Sequence, residues 1–347
     1  MMRRRIIHKW TFFVAMLLFF VACQKVEDTP EKEKIRLQVL EEVLSATSRA
    51  YLFQPENMVM EEEFRLDAYY FDANNRSCSY FSNANIVYFE GNWRFREWVN
   101  GTSQLIDYYW PNDETNLHFL AVMPKDLSSS IVDAANLSFN SNGVLFSCTR
   151  PNVIKDSVEA NVKEFVYAYT AAPDRGENVG LRFVHPFAAI KFRLHQSHRD
   201  LSIHSITLKN VYTTGTFCNR VDTRSEVPLL SAWTQTGSPG ELKIEIEKTV
   251  PAEINFGAEI GGPYLVIPQS ISGVKLQINY TWNTDVKKDS GELSIQIPGE
   301  HETWDPGKVY TYTLDLGDNK EEILFKVSVE PWVKGETGAY ENEYDVE

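Results

Sequence analysis

Short runs in which apolar and polar residues alternate, each closed by a polar turn, recur along most of this 347-residue chain. A period of two places successive side chains on opposite faces of an extended strand, so these runs fold as half-buried sheet and not as helix. Phe64, Leu66, Ala68 and Tyr70 alternate with Arg65, Asp67 and Tyr69, and Ala188, Ile190, Phe192 and Leu194 with Ala189, Lys191 and Arg193. The pattern returns at Leu242-Ile244-Ile246, Val274-Leu276-Ile278-Tyr280, Tyr310-Tyr312-Leu314-Leu316 and Ile323-Phe325-Val327-Val329. Sixteen Tyr, 20 Phe and 8 Trp add to the bias, because aromatic side chains fit a pleated surface.

About fifteen short strands are predicted, an all-β pattern of sandwiches. That number exceeds one sandwich, so the chain is expected to divide near 180–185 into domains 50–183 and 184–347. No repeat of about 20–50 residues marks a solenoid or propeller. Gly91-Asn92 is read as a turn leading into Trp93–Arg96, and the polar stretch Gln196–Asp200 as the turn of a hairpin. Ile35–Leu44 is ambiguous: Ile35, Leu37 and Val39 alternate, while Leu37, Leu40 and Leu44 sit at helical spacing.

The N-terminus carries an address. Arg3, Arg4, Arg5 and Lys9 precede the apolar stretch Trp10–Ala22, which is far short of the ~20 residues that span a bilayer. It ends in Phe20-Val21-Ala22-Cys23, which resembles a bacterial lipobox. That reading makes 1–22 a lipoprotein signal peptide and Cys23 the acylated first residue of the mature chain; the plainer alternative is a secretory signal with an incidental Cys. At ~0.8 kcal/mol per buried CH₂, several acyl chains anchor a protein durably where one does not. Gln24–Asp28 resembles the Lys-plus-acidic tract that sends some lipoproteins to the outer face of the outer membrane, and 23–49 reads as tether and leader.

Charge excludes one class of partner. Loss of 1–22 removes four basic and no acidic residues, leaving 30 positive against 48 negative charges. A phosphate backbone is bound by neutralising Lys and Arg, so nucleic acid is not an expected partner. Cys78, Cys148 and Cys218 are odd in number and 70 residues apart, which fits neither a complete disulfide framework nor a zinc site, and leaves buried free thiols with at most one bridge.

No phosphate loop, dinucleotide fingerprint, nucleophile elbow or His-Glu-x-x-His motif is present. His195, His198 and His204, with Asp200, form the only histidine cluster, and their place on an expected turn favours solvated polar residues over a metal. His185 before Pro186 reads as a strand-end residue. Glu61-Glu62-Glu63 lacks the interleaved Gly and Asn of a calcium loop and reads as solvated charge. Trp93, Trp98, Tyr108, Tyr109 and Trp110 could form a sugar-stacking platform, but their alternation favours packing.

Taken in order, several segments resemble the fimbrillin family, the Mfa-like subunits of type V pili. Ser48-Arg49-Ala50 is similar to the Thr-Arg-Ala stretch that follows the family's leader. Tyr108-Tyr109-Trp110-Pro111 and Leu117–Pro124 resemble a second segment. Val179–Phe192, with Phe183, His185 and Ala188, resembles the hallmark at the domain junction. Tyr264–Gln269 and Trp304–Tyr310 resemble two later strands.

The resemblance implies two transthyretin-like β-sandwich domains, no enzyme and no cofactor. It also implies export as an outer-membrane lipoprotein and assembly into a fimbrium with other pilus subunits, with a host-surface ligand as a further partner. A leader strand, here about Ile35–Leu44, would fill a groove until a protease cuts between Arg49 and Ala50. A neighbour's strand would then replace it by β-augmentation, with Ile323–Val329 as the donor. Members that act as anchors keep their leader and lipid. The alternative from another class is a surface glycan-binding lipoprotein with Trp93, Trp98 or Trp110 exposed.

Overall fold

The computed structural model describes residues 32–40, 63–112, 115–132, 134–140, 143–159, 162–194, 200–225, 229–251, 258–283, 288–297, 302–316 and 323–331. The chain divides into two units at Glu33/Lys34, and the fold is that of Lys34–Glu347. The first eleven strands are β1 (Arg36–Val39), β2 (Glu63–Phe71), β3 (Ser77–Phe89), β4 (Asn92–Val99), β5 (Thr102–Ile106), β6 (His118–Met123), β7 (Ser138–Asn140), β8 (Gly143–Thr149), β9 (Val153–Lys155), β10 (Val166–Thr170) and β11 (Asn178–Leu181). The next twelve are β12 (Ala188–Leu194), β13 (Asp200–Val211), β14 (Thr214–Asn219), β15 (Trp233–Gln235), β16 (Gly240–Val250), β17 (Ala258–Val266), β18 (Gln269–Ser270), β19 (Lys275–Asn283), β20 (Lys288–Gln296), β21 (Thr303–Trp304), β22 (Lys308–Leu316) and β23 (Ile323–Pro331). Among the described residues the only α-helix is one turn, Asp156–Glu159, and no helix is long and apolar enough to cross a membrane.

The first sheet runs β10-β6-β2-β3-β4-β1-β11, with β5 also paired to β4. Its inward side chains, among them Phe64, Leu66, Phe81, Phe95, Phe119 and Leu181, close one core. The ends of the sheet meet, because Tyr167 of β10 and Val184, just past β11, bond each other's backbone in both directions. The outer face of β6 and β10 packs Leu120, Val122 and Tyr167 against the second sheet, β15-β14-β8-β7. There Phe146, Phe217 and Trp233 form an aromatic nest, with Phe146 stacked on Phe217 at 4.8 Å. The third sheet, β17-β12-β22-β23, faces the fourth, β20-β19-β13-β16-β9, across an aliphatic and tyrosine core. The architecture is an all-β sandwich fold.

Strand pairing crosses the expected 183/184 boundary. β8 pairs with β14, β9 runs parallel to β16, and Ala189, Leu265 and Val309 of the third sheet enter the same core as Leu120 and Val122 of the first. The hairpin expected around Gln196–Asp200 is corrected: β12 pairs with β17 and β22, and β13 with β16 and β19, so the chain passes from one layer to the other. The alternating faces of β12 and β13 meet across the core and not along one sheet edge. The turn expected at Gly91-Asn92 sits one residue earlier, since Glu90 and Gly91 both have positive φ and Asn92 already pairs with Phe89.

Candidate functional site

The feature with functional geometry is β1, a short strand seated in a slot of the first sheet. Ile35, Leu37 and Val39 point into the core while Arg36 and Gln38 face solvent, so this part is extended as the alternating reading has it; 41–44, with the Leu44 of the helical reading, lie outside the described residues. β1 runs parallel to β11 through Arg36–Asn178, Leu37–Val179, Gln38–Gly180 and Val39–Leu181. Against β4 it has a single register pair, Leu37 with Trp93. Parallel pairing is slightly the weaker kind per residue, and the other side is barely paired.

Each end of the slot has its own fastening. At the entry the Ile35 N–H donates to the Tyr108 carbonyl at 2.8 Å, Lys34 bridges to Tyr109, and the Lys34 Nζ lies 2.7 Å from Asp107. The hydrogen bond to Asp107 and its charge hold the Lys34 ammonium above the usual lysine range. Tyr80 donates its hydroxyl to the Tyr109 carbonyl, and Tyr108 donates to Glu97 at 2.9 Å. Burial and the Glu97 carboxylate push the Tyr108 phenol up to about 12. The floor is aromatic: Trp93 lies 5.0 Å from Phe64, which meets Phe183 edge-on at 5.3 Å.

At the exit the Leu40 N–H donates to the Leu181 carbonyl at 2.9 Å. Gly180 leaves space there, since a Cβ on it would lie 3.5 Å from Leu40 and 3.6 Å from the Arg224 stem. Arg224 belongs to a loop from the second half that clasps the outer edge of β10. Thr223 is fully buried, Ala171 donates its N–H to Asp222 at 2.8 Å, and Arg224 donates to the Ala171 carbonyl at 3.1 Å. The clasp therefore joins the slot to the second sheet.

The donor expected at Ile323–Val329 is the edge strand β23, paired along its length with β22 of its own chain, with Val327 and Val329 partly buried on the core. Cys23, Arg49 and Ala50 lie outside the described residues, as do His195, His198, Glu61 and Glu62. His204 sits on β13, bonded to Glu247 at 3.0 Å and Thr281 at 2.8 Å. Among the described residues no group of His, Cys, Asp and Glu is placed to hold a metal. His185 is buried against Glu164 at 2.6 Å, and burial raises the Glu164 carboxyl. Glu63 is bound by Arg96, Asn85 and Lys125. Burial drives the Cys148 thiol up to about 11, whereas Cys78 and Cys218 are only half-buried, a correction to the expectation of buried thiols; none of the three is in a disulfide.

The aromatic platform is not assembled. Trp110 is buried edge-on to Phe119, Trp93 is half-buried in the slot floor, and Tyr108 packs on Phe81 at 4.5 Å. Trp98 alone stands out, 66% exposed on the β4–β5 hairpin. That hairpin escaped the sequence reading although Asn100-Gly101, both at positive φ, is a strong turn signal. The reading also missed the pairing of Lys34 with Asp107 and the clasp at 222–224, which join residues far apart in the chain.

A family model described as fimbrillin-like matches residues 56–332. In fold the chain is similar to a fimbrial protein from Bacteroides vulgatus, with a TM-score of 0.54 and 13% identity, covering 87% of this chain and 100% of that one. A fimbrial assembly protein from Parabacteroides distasonis aligns at TM-score 0.38 and 9% identity, covering 87% of this chain and 97% of that one. The tip fimbrial protein Mfa3 from Porphyromonas gingivalis aligns at 0.34 and 12%, covering 79% and 95%. No curated protein matches the chain.

Proposed function

The chain belongs to the fimbrillin-like family, and from that premise we propose that it is a structural or adhesive fimbrial subunit assembled by strand exchange. The observation that carries the reading is β1, a strand seated between β11 and β4 with four register pairs on one side and one on the other. Its removal would leave two unpaired edges and open the core over Phe64 and Trp93, a surface that a neighbour's extended strand can complete with main-chain hydrogen bonds.

In this reading Cys23 carries the lipid that brings the chain to the outer membrane, and a cut between Arg49 and Ala50 frees β1. β23 is a fitting donor because it is hydrogen-bonded on one side only and closes its sheet as an edge. The role is mechanical and adhesive, with no reaction assigned. The glycan-binding alternative is the weaker reading because Trp93 and Trp110 are taken up in packing, which leaves Trp98 alone exposed and no platform of several rings.

The test is the N-terminus and mass of the protein recovered from the cell surface. A chain starting at Ala50, in SDS-resistant oligomers, supports exchange. A diacylated Cys23 joined to an intact leader means an anchor and rejects exchange of β1.

A further inference from the structure

We propose that the β1 slot reads charge at its mouth: Asp107 selects strands that bring Lys or Arg directly before the first of their alternating apolar residues. The biological use of this rule rests on the strand-exchange reading, but the rule itself concerns the slot alone.

Asp107 faces two cations. Arg94 belongs to the wall, 3.9 Å away, and Lys34 is carried in by the strand and sits at 2.7 Å. The next residue, Ile35, is 5% exposed and is held by the Tyr108 carbonyl. A slip of one residue would turn Arg36 inward and carry the cation off Asp107, so charge and pocket agree on one register. Backbone pairing to β11 cannot enforce this, because it is nearly blind to side-chain identity.

The occupant that fits is the edge strand β23 of a second copy, in one register. Entry from Ile323 would set Glu322 against Asp107, whereas entry from Lys326 sets a cation there, followed by Val327 and Val329 at the inward positions. The rule chooses the second.

The test is amide hydrogen exchange at Ile35 and Leu40 in the full-length chain. Lys34→Glu and Asp107→Lys should each speed exchange roughly fivefold, because like or opposite charge at a diagonal cross-strand site shifts pairing by that order. The two changes together should restore the wild-type rate to within about twofold, as a direct pair requires. Asp107→Asn serves if Asp107→Lys disturbs the fold, and should give a smaller acceleration.

A second comparison replaces residues 34–38 by the sequence of 326–330 or of 322–326. The first should stay protected, and the second should regain protection only with Asp107→Lys. Rates indifferent to these charges overturn the rule. Failure of exchange between copies would leave all of these rates untouched, and would appear instead as an absence of SDS-resistant oligomers.

Discussion

Thr223 and Tyr169 complete each other's backbone bonding: the Thr223 N–H donates to the Tyr169 carbonyl at 2.8 Å, and the Tyr169 N–H donates to the Thr223 hydroxyl at 3.0 Å. A loop residue from one half of the chain thereby acts as the next strand for β10 in the other. Thr223→Val keeps the shape but removes the hydroxyl, leaving a buried N–H unsatisfied at a cost of about 1–3 kcal/mol. Urea unfolding should show that loss, and a change within ~0.3 kcal/mol would mean the loop is dispensable.

Acid should loosen the same clasp. Burial alone would raise the Asp222 carboxyl, but the Arg224 guanidinium and the N–H groups of Arg224 and Ala171 outweigh it and hold the carboxyl below the usual aspartate range. A carboxyl depressed in the folded state stabilises above its unfolded value of about 3.9 and loses that contribution as pH falls through the lower folded value. Asp222→Asn should therefore be less stable than wild type at neutral pH, and the gap should close below about pH 4. An equal gap at both pH values would contradict the assignment.

Arg150 and Glu159 form a buried ion pair, with an Arg150 Nη2 to Glu159 Oε1 distance of 2.5 Å and exposures of 4% and 6%. Arg150→Met strands a buried carboxylate and should cost about 3–5 kcal/mol, much of it recovered by adding Glu159→Leu. Thermal melts of the double-mutant cycle measure this directly. A sum of independent losses would show that the two residues do not act as a pair.

Gly143 begins β8 at φ +92°, where a Cβ would lie 1.9 Å from the Asn219 carbonyl oxygen. The backbone of β14 has no room to yield, so Gly143→Ala should destabilise by more than about 2 kcal/mol or block folding. Gly180→Ala is the control, because its Cβ meets only ordinary contacts at 3.5 Å and 3.6 Å.

The tryptophans should separate cleanly in the same melts. Trp98→Ala removes an exposed ring and should change stability by no more than about 0.5 kcal/mol, while Trp110→Ala empties a buried site at about 3–5 kcal/mol. A large loss at Trp98 would mean that the ring packs in the folded chain.

Where inward residues are aliphatic or aromatic, alternation reports the strand, and so β2, β12, β19 and β22 were legible from the amino-acid order. β14 was not, because its buried face is Gly215, Phe217 and Asn219, and a buried Asn is invisible to hydropathy. Here Asn219 earns its place by donating to the Tyr167 hydroxyl at 2.7 Å. β1 was ambiguous for another reason: Leu37 belongs both to the alternating set with Ile35 and Val39 and to the helically spaced set with Leu40, and the pairing with β11 selects the extended form.

The amino-acid order alone determined the all-β class, the inward face of the long strands and the family resemblance, because each is written in local periodicity or contiguous motif. Tertiary structure decided which strands are neighbours, where layers cross, and that Lys34 meets Asp107 and Thr223 meets Tyr169. Hydrophobic burial says which face of a strand turns inward but not which strand lies beside it. That choice is made by main-chain hydrogen bonds and by packing between residues that the sequence keeps far apart.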